Sequence, residues 1–61
     1  MSLYVRFISN DYLILEKVSK YILHNDFFSI VFDNGRTSVI KAEKVLYIGF
    51  CEDLWYNKEG E

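Results

Sequence analysis

The sequence is poor in residues that stabilise a small domain through disulfides, metal sites or a rigid backbone: it has one cysteine, one histidine and no proline among 61 residues. With Cys51 alone, neither an intramolecular disulfide nor a multi-cysteine zinc site can form. A small domain without disulfides is typical of a reducing compartment, so we expect a cytoplasmic protein. No apolar run approaches the ~20 residues that cross a bilayer, and the first residues do not resemble a signal peptide, so we expect no membrane partner.

Glycine and basic charge are also scarce. None of the three glycines has the spacing of a phosphate-binding loop. Seven Lys and Arg residues are scattered among nine Asp and Glu residues, which gives a net charge of −2. Proteins that bind a phosphate backbone usually carry a basic patch, so nucleic acid is a disfavoured partner.

The few residues that could carry chemistry do not form a recognisable site. His24 and Asp26 offer two metal ligands, whereas a catalytic zinc site needs about three from the protein. A nucleophilic cysteine needs a neighbouring base, and Cys51 is followed by the acids Glu52 and Asp53. We therefore predict no enzyme activity, no metal and no cofactor.

Hydrophobic residues make up 51 % of the chain, with five Tyr, five Phe and one Trp. A chain this short buries only ~60 % of its unfolded surface, so its core cannot enclose every ring. Some rings must lie at the surface or at a subunit contact, and we predict a homo-oligomer. The candidate interface residues are Tyr4, Tyr12, Tyr21, Tyr47, Leu54, Trp55 and Tyr56.

A short pattern occurs once in each half of the chain. Val5-Arg6-Phe7 is followed by a polar turn and by Val18 to Tyr21, and Ile30-Val31-Phe32 is followed by a polar turn and by Val45 to Ile48. This indicates two degenerate units of about 25 residues. Each unit is too small to bury its own apolar face, so the two must share a core.

Asparagine-containing turns separate the apolar segments. Asn10-Asp11, Asn25-Asp26 and Asn34-Gly35 all tolerate the left-handed backbone of tight turns. The Asn34-Gly35 pair predicts a type I′ hairpin with strands near 27–33 and 36–41.

Two further segments are rich in β-branched and aromatic residues. Residues 3–8 are predicted to form the first strand and residues 45–50 the last. The last strand is apolar on both faces, so we expect it to be central or covered on both sides.

Residues 11–24 are ambiguous. Apolar side chains recur there at helical spacing, and Asp11 is a suitable helix cap. The helical positions are Ile14, Val18, Tyr21 and Ile22. The competing interpretation has strands at 12–16 and 21–24, with 17–20 as their connection. We favour strands because the repeat and the turn spacing require them.

The sequence therefore predicts a mainly β fold in one domain over residues 1–56. Its strands form a small five-stranded antiparallel meander, arranged as an SH3-like barrel or as a sandwich. The alternative is an α+β fold with one helix at 11–24. A disordered polar tail is expected at 57–61.

Two functions fit these features. Unpaired sheet edges and surplus aromatic rings favour a non-catalytic protein-binding or self-associating module. The alternative is a small nucleic-acid-binding β-barrel, because such barrels bind single strands through mixed aromatic and basic faces. The residues that suggest it are the tyrosines Tyr4, Tyr12, Tyr21 and Tyr47 and the basic residues Arg6, Lys20, Arg36, Lys41 and Lys44.

Four motifs also resemble the plan of short uncharacterised all-β proteins of low-GC Gram-positive bacteria and their phages. They are Val5-x-Phe7, Val18-x-x-Tyr21, Phe28-x-Ile30-x-Phe32-x-Asn34-Gly35 and Val45-x-x-Ile48. The resemblance covers about residues 4–50 and concerns core and turn positions. It implies a phage or accessory factor and transfers no catalytic residue.

Overall fold

A computed structural model describes residues 1–53 and contains six strands and one short 3-10 helix. The strands are β1 (Leu3–Phe7), β2 (Tyr12–Leu15), β3 (Val18–His24), β4 (Phe27–Phe32), β5 (Thr37–Lys41) and β6 (Val45–Phe50), and the 3-10 helix spans Ala42–Lys44. They form sheet A, in the order β2-β1-β6, and sheet B, in the order β3-β4-β5. The prediction of a mainly β fold is confirmed. None of the helices in residues 1–53 has the length and apolar character needed to span a bilayer.

Several details differ from the prediction. There are six strands rather than five, and they form two open three-stranded sheets with no closed barrel. The helix alternative at 11–24 is wrong, since β2 and β3 occupy that segment. Only Glu16 and Lys17 connect these two strands, because β3 already begins at Val18. The predicted connection at 17–20 was therefore too long. Lys17 changes the chain direction within this short link by adopting a positive φ of 60°.

The last strand has the predicted bounds, Val45–Phe50, but not the predicted environment. It returns to pair with β1 at the edge of sheet A, so the chain is not a simple meander. Leu46 and Tyr47 in this strand are exposed. The apolar character of both its faces therefore does not come from burial on both sides.

The hairpin between β4 and β5 forms as predicted, but its turn is not type I′. That type needs a positive φ at two consecutive residues, and here only Gly35 has one, at 90°. The Gly35 N–H donates to the Phe32 carbonyl at 2.9 Å, and the Asn34 Oδ1 accepts from the Arg36 N–H at 2.9 Å. The asparagine thus acts through its side chain, and glycine alone takes the left-handed position.

The two halves of the chain have the same strand pairing, which confirms the predicted repeat. In the first hairpin Leu3 lies opposite Leu15, and in the second Phe28 lies opposite Ile40, 25 residues later at both positions. The third strands correspond as well. Phe7 pairs with Val45 and Phe32 pairs with Val18, each beside a one-residue shift in register.

The two units interlock rather than stack side by side. The first unit, β1 to β3, gives its hairpin to sheet A and its third strand to sheet B. The second unit, β4 to β6, gives its hairpin to sheet B and its third strand to sheet A. Each sheet is therefore completed by a strand from the other unit, which explains why neither unit would bury a core alone.

The turns repeat with the strands. Asn10, at φ 79°, occupies the place in the first hairpin that Gly35 occupies in the second. The same backbone hydrogen bond closes each loop, from Phe7 N–H to the Asp11 carbonyl and from Phe32 N–H to the Arg36 carbonyl, both at 2.8 Å. Asparagine tolerates the left-handed region better than most residues do, so it can replace glycine there.

The core between the sheets is small. Four side chains in residues 1–53 are fully buried, namely Leu3, Val5, Val18 and Ile30. Partly buried apolar side chains surround them: Phe7, Leu15, Tyr21, Phe32, Ile40, Val45, Ile48 and Phe50. Leu13 and Leu23 pair with Val5 and Phe28, so they face inward, yet both are exposed. The sandwich is therefore open along these two edge strands.

Candidate interaction surface

The outward side of sheet A carries three of the four candidate interface residues that the structure describes. Side chains alternate between the two faces of a strand, and Leu3, Val5 and their partners take the inward positions. The outward positions of the three strands form a surface that we call the tyrosine face. It consists of Tyr4, Arg6, Tyr12, Ile14, Tyr47 and Gly49.

These residues form two rows across the strands. In one row Arg6 lies between Tyr12 and Tyr47. In the other row Tyr4 lies between Ile14 and Gly49. The face is thus aromatic and apolar, with a single positive charge and no acidic residue at any of these positions.

The three tyrosine rings are close neighbours. The Tyr4 ring centroid lies 6.0 Å from that of Tyr12 and 6.1 Å from that of Tyr47, with tilted ring planes. Tyr12 is 62 % exposed and Tyr47 is 43 % exposed, whereas Tyr4 between them is half-buried. The result is a continuous strip of three rings across the sheet that solvent can reach.

Gly49 makes room for one of these rings. A Cβ at Gly49 would lie 2.8 Å from the Tyr47 hydroxyl oxygen, so the Tyr47 side chain lies across the glycine toward Tyr4. Gly49 therefore marks a close approach of a side chain to the backbone. The register shift of β6 lies elsewhere, between Val45 and Tyr47.

Arg6 is held in place by its neighbours. Its Nε donates to the Tyr4 hydroxyl at 2.9 Å, and its Nη1 donates to the Asn10 Oδ1, also at 2.9 Å. These bonds fix the guanidinium beside the rings without an acidic partner. An ordered arginine among tyrosines is the composition that protein interfaces favour.

The structure brings three of the predicted interface residues together and separates a fourth. Tyr21 pairs with Ile30, so strand alternation directs it between the sheets. There its ring packs edge-on against Phe50, with the centroids 5.2 Å apart, and lies 6.4 Å from Phe28. Tyr21 therefore packs against the core and is not part of the tyrosine face. The other candidates, Leu54, Trp55 and Tyr56, lie outside the described residues, as does the predicted tail at 57–61.

The basic residues do not gather around the tyrosines. Lys20 and Lys41 lie on the outward side of sheet B, which faces away from the tyrosine face. Arg36 lies in the β4–β5 turn and Lys44 in the 3-10 helix. Arg6 is the one basic residue on the tyrosine face, so the aromatic and basic positions that alternate in the sequence separate in space.

The internal repeat shows that the fold does not require these tyrosines. The positions in sheet B that correspond to Tyr4, Tyr12 and Tyr47 hold Ser29, Thr37 and Lys20. Inward positions, by contrast, stay apolar in both units, as with Val5 and Ile30. One scaffold thus carries a cluster of tyrosines on one outer face only, which points to a task for that face.

The outward side of sheet B holds a second surface that sequence reasoning missed. Four apolar side chains lie around Ser29 at its centre, and we call this surface the apolar face. They are Ile22, Phe27, Val31 and Val39. An exposed antiparallel face is normally polar. The signal in the sequence was Phe27–Phe32, which is apolar at five of its six positions and so cannot have one polar side.

The titratable residues are dispersed. His24 is exposed at the end of β3, and Cys51 is half-buried and free. In the part of the chain that the structure describes, no group of three or more His, Cys, Asp and Glu side chains could hold a metal ion.

Comparisons with known proteins place the chain in no family. No protein-family model, no curated protein and no solved structure matches it. The inference of function therefore rests on the chemistry of the two outer faces.

Proposed function

We propose that the protein is a non-catalytic binding module that contacts another protein through the tyrosine face. The observation that carries this proposal is the strip formed by Tyr12, Tyr4 and Tyr47, which has no counterpart on the equivalent face of sheet B. Tyrosine rings supply a large contact area at low entropic cost, and their hydroxyls tolerate water before the partner binds.

The charge of the face defines the chemistry of the partner. Arg6 uses part of its donor set on Tyr4 and Asn10, and its remaining N–H groups suit a carbonyl or carboxylate of the partner. We therefore expect a protein surface that presents apolar side chains around one such acceptor. We also propose that the protein acts in the cytoplasm, as an accessory factor of a low-GC Gram-positive bacterium or its phage.

Nucleic acid is the competing ligand, because bases stack on exposed rings. It is disfavoured because backbone binding needs several cations near the rings, and among residues 1–53 only Arg6 lies on the tyrosine face. The net charge of −2 acts against it as well. A labelled single-stranded oligonucleotide at low salt provides the direct comparison.

The test exchanges the tyrosines for the residues that sheet B uses at the same positions. In the variant Tyr4→Ser, Tyr12→Thr and Tyr47→Lys, each new side chain already occurs at an equivalent place in this fold. The immobilised wild type is expected to retain a specific protein from extract of a low-GC Gram-positive bacterium, and the variant at least ten times less, since central aromatic residues of interfaces each contribute more than ~1 kcal/mol.

The matched control is Val39→Lys on the opposite face, which should retain the partner at the wild-type level. Equal retention by the tyrosine variant and the wild type would contradict the proposal. Salt-sensitive binding of the oligonucleotide that disappears in the tyrosine variant would replace the protein partner with a nucleic acid.

A further inference from the structure

The apolar face of sheet B has an arrangement that the tyrosine face lacks. Its central row runs Ile22, Ser29, Val39 across the three strands, with Val31 and Phe27 above and below Ser29. Ile22 is 48 % exposed and Val39 is 61 % exposed. Apolar side chains therefore cover the middle of the sheet, where solvent-facing strands usually carry polar residues.

Polar and charged residues lie at the margin of this face. Lys20 and Thr37 are outward neighbours at one end of the sheet, and His24 and Lys41 are outward neighbours at the other. An apolar centre with a polar rim is the anatomy of a protein interface.

We propose that a second copy of this chain covers the apolar face, so that two sheets B pack face to face in a symmetric dimer. The inner faces of sheets A and B already pack in this way within one copy. The chain is also small, with four fully buried side chains among residues 1–53, and association would supply the burial that its core lacks.

The available area suits such a contact. A standard interface takes ~800 Å² from each partner, which is about one sixth of the 4738 Å² accessible surface of this protein. A contact of this size must use the apolar centre of the face together with its polar rim, so we expect a dimer that dissociates at micromolar concentrations.

The charges at the two ends of the face are compatible with a second copy turned end for end. Lys20, Asp33 and Arg36 lie toward the β4–β5 turn, and Asp26, Lys41 and Glu43 lie at the opposite end beside Phe27. A two-fold axis that runs across the strands places the end with Lys20 and Arg36 over the end with Asp26 and Glu43 of the other copy, and it places Lys41 over Thr37. Because such an axis passes through the centre of the face, the two Ser29 residues become neighbours.

The first experiment compares equivalent positions on the two outer faces by sedimentation equilibrium at up to about 100 µM protein. Val39→Lys places a charge in the proposed contact, and Ile14→Lys places the same charge at the corresponding position of the tyrosine face. We expect the wild type to dimerise, Val39→Lys to raise the dissociation constant at least tenfold, and Ile14→Lys to leave it within threefold.

The second experiment detects proximity directly and does not depend on disrupting the dimer. Ser29→Cys and its counterpart Tyr4→Cys are made with Cys51→Ser and treated with a bismaleimide whose reach of about 10 Å matches the spacing of two packed sheets. Ser29→Cys should yield a cross-linked dimer, and Tyr4→Cys should remain monomeric on a denaturing gel.

A wild type that stays monomeric throughout the concentration range would overturn the proposal. Equal weakening by the two lysine variants would overturn it too, as would cross-linking through Tyr4→Cys in preference to Ser29→Cys. The proposal is independent of the tyrosine-face function, because loss of dimerisation leaves partner capture by the tyrosine face unchanged, and the reverse also holds.

Discussion

At the scale of single residues, the protein depends on a few positions where the backbone or a close contact restricts the choice of side chain. Asn10, Lys17, Asn25 and Gly35 have positive φ, and all four lie in links between strands. Gly49 is restricted for another reason, because the Tyr47 side chain lies across it. The internal repeat allows such positions to be compared within one molecule.

The restriction on the side chain at Gly35 comes from its left-handed backbone and not from crowding by neighbouring atoms. Nothing lies within 4 Å of a Cβ built there, so any cost of substitution comes from φ alone. We predict that Gly35→Ala lowers the free energy of unfolding by about 1–2 kcal/mol. Gly35→Asn should lower it by less than about 1 kcal/mol, since Asn10 already adopts this conformation in the equivalent turn.

Urea denaturation followed by circular dichroism measures both values. An alanine variant as stable as the wild type would contradict this explanation of Gly35. So would an asparagine variant that is less stable than the alanine variant.

At the scale of strands and turns, much of the architecture could be predicted from the sequence. The β4–β5 hairpin, the bounds of β6 and the two-unit repeat all follow from turn residues and apolar spacing. These features are local or repeated, so each has its own signal in the chain. The start of β3 and the turn type were wrong because they depend on single backbone angles, at Lys17 and Asn34.

The sheet assignment could not be predicted from the sequence. Alternation shows which residues share a face, but not which face is inward when both are apolar. This ambiguity applies to Tyr21, which is inward, and it led to the error at β6, which is an edge strand. Strand alternation alone places Tyr4 and Arg6 on the same face, whereas the association of Tyr12 and Tyr47 with them depends on the register between distant strands.

The link between β2 and β3 provides a test at this scale. Lys17 has φ 60° and its carbonyl accepts the Asp33 N–H at 2.8 Å, so it carries the chain from sheet A to sheet B. We predict that Lys17→Val lowers the free energy of unfolding by about 1–2 kcal/mol or more, because a β-branched residue disfavours positive φ. Lys17→Gly should be neutral or slightly stabilising.

Glu16→Val is the matched control, since Glu16 is exposed in the same link without a positive φ. Thermal unfolding ranks the three variants. If the Lys17→Val protein unfolds at the same temperature as Glu16→Val, the positive φ of Lys17 does not restrict the residue type in the link between the two sheets.

At the scale of the whole molecule, two equivalent units build one body with two different outer faces. The inward positions of both units remain apolar because they share one core. The outward positions differ, with tyrosines on sheet A and Ile, Val and Phe residues with basic neighbours on sheet B. The account assigns the tyrosine face to a protein partner and the apolar face to a second copy.

The most direct test of this division is the amide NMR spectrum of the protein, recorded over about a fifty-fold dilution from roughly 1 mM. The account predicts that concentration-dependent shifts concentrate at Ile22, Ser29, Val31 and Val39, while Tyr4, Tyr12 and Tyr47 remain unchanged. Shifts that concentrate at the tyrosines, or a spectrum that does not change at any concentration, would contradict it.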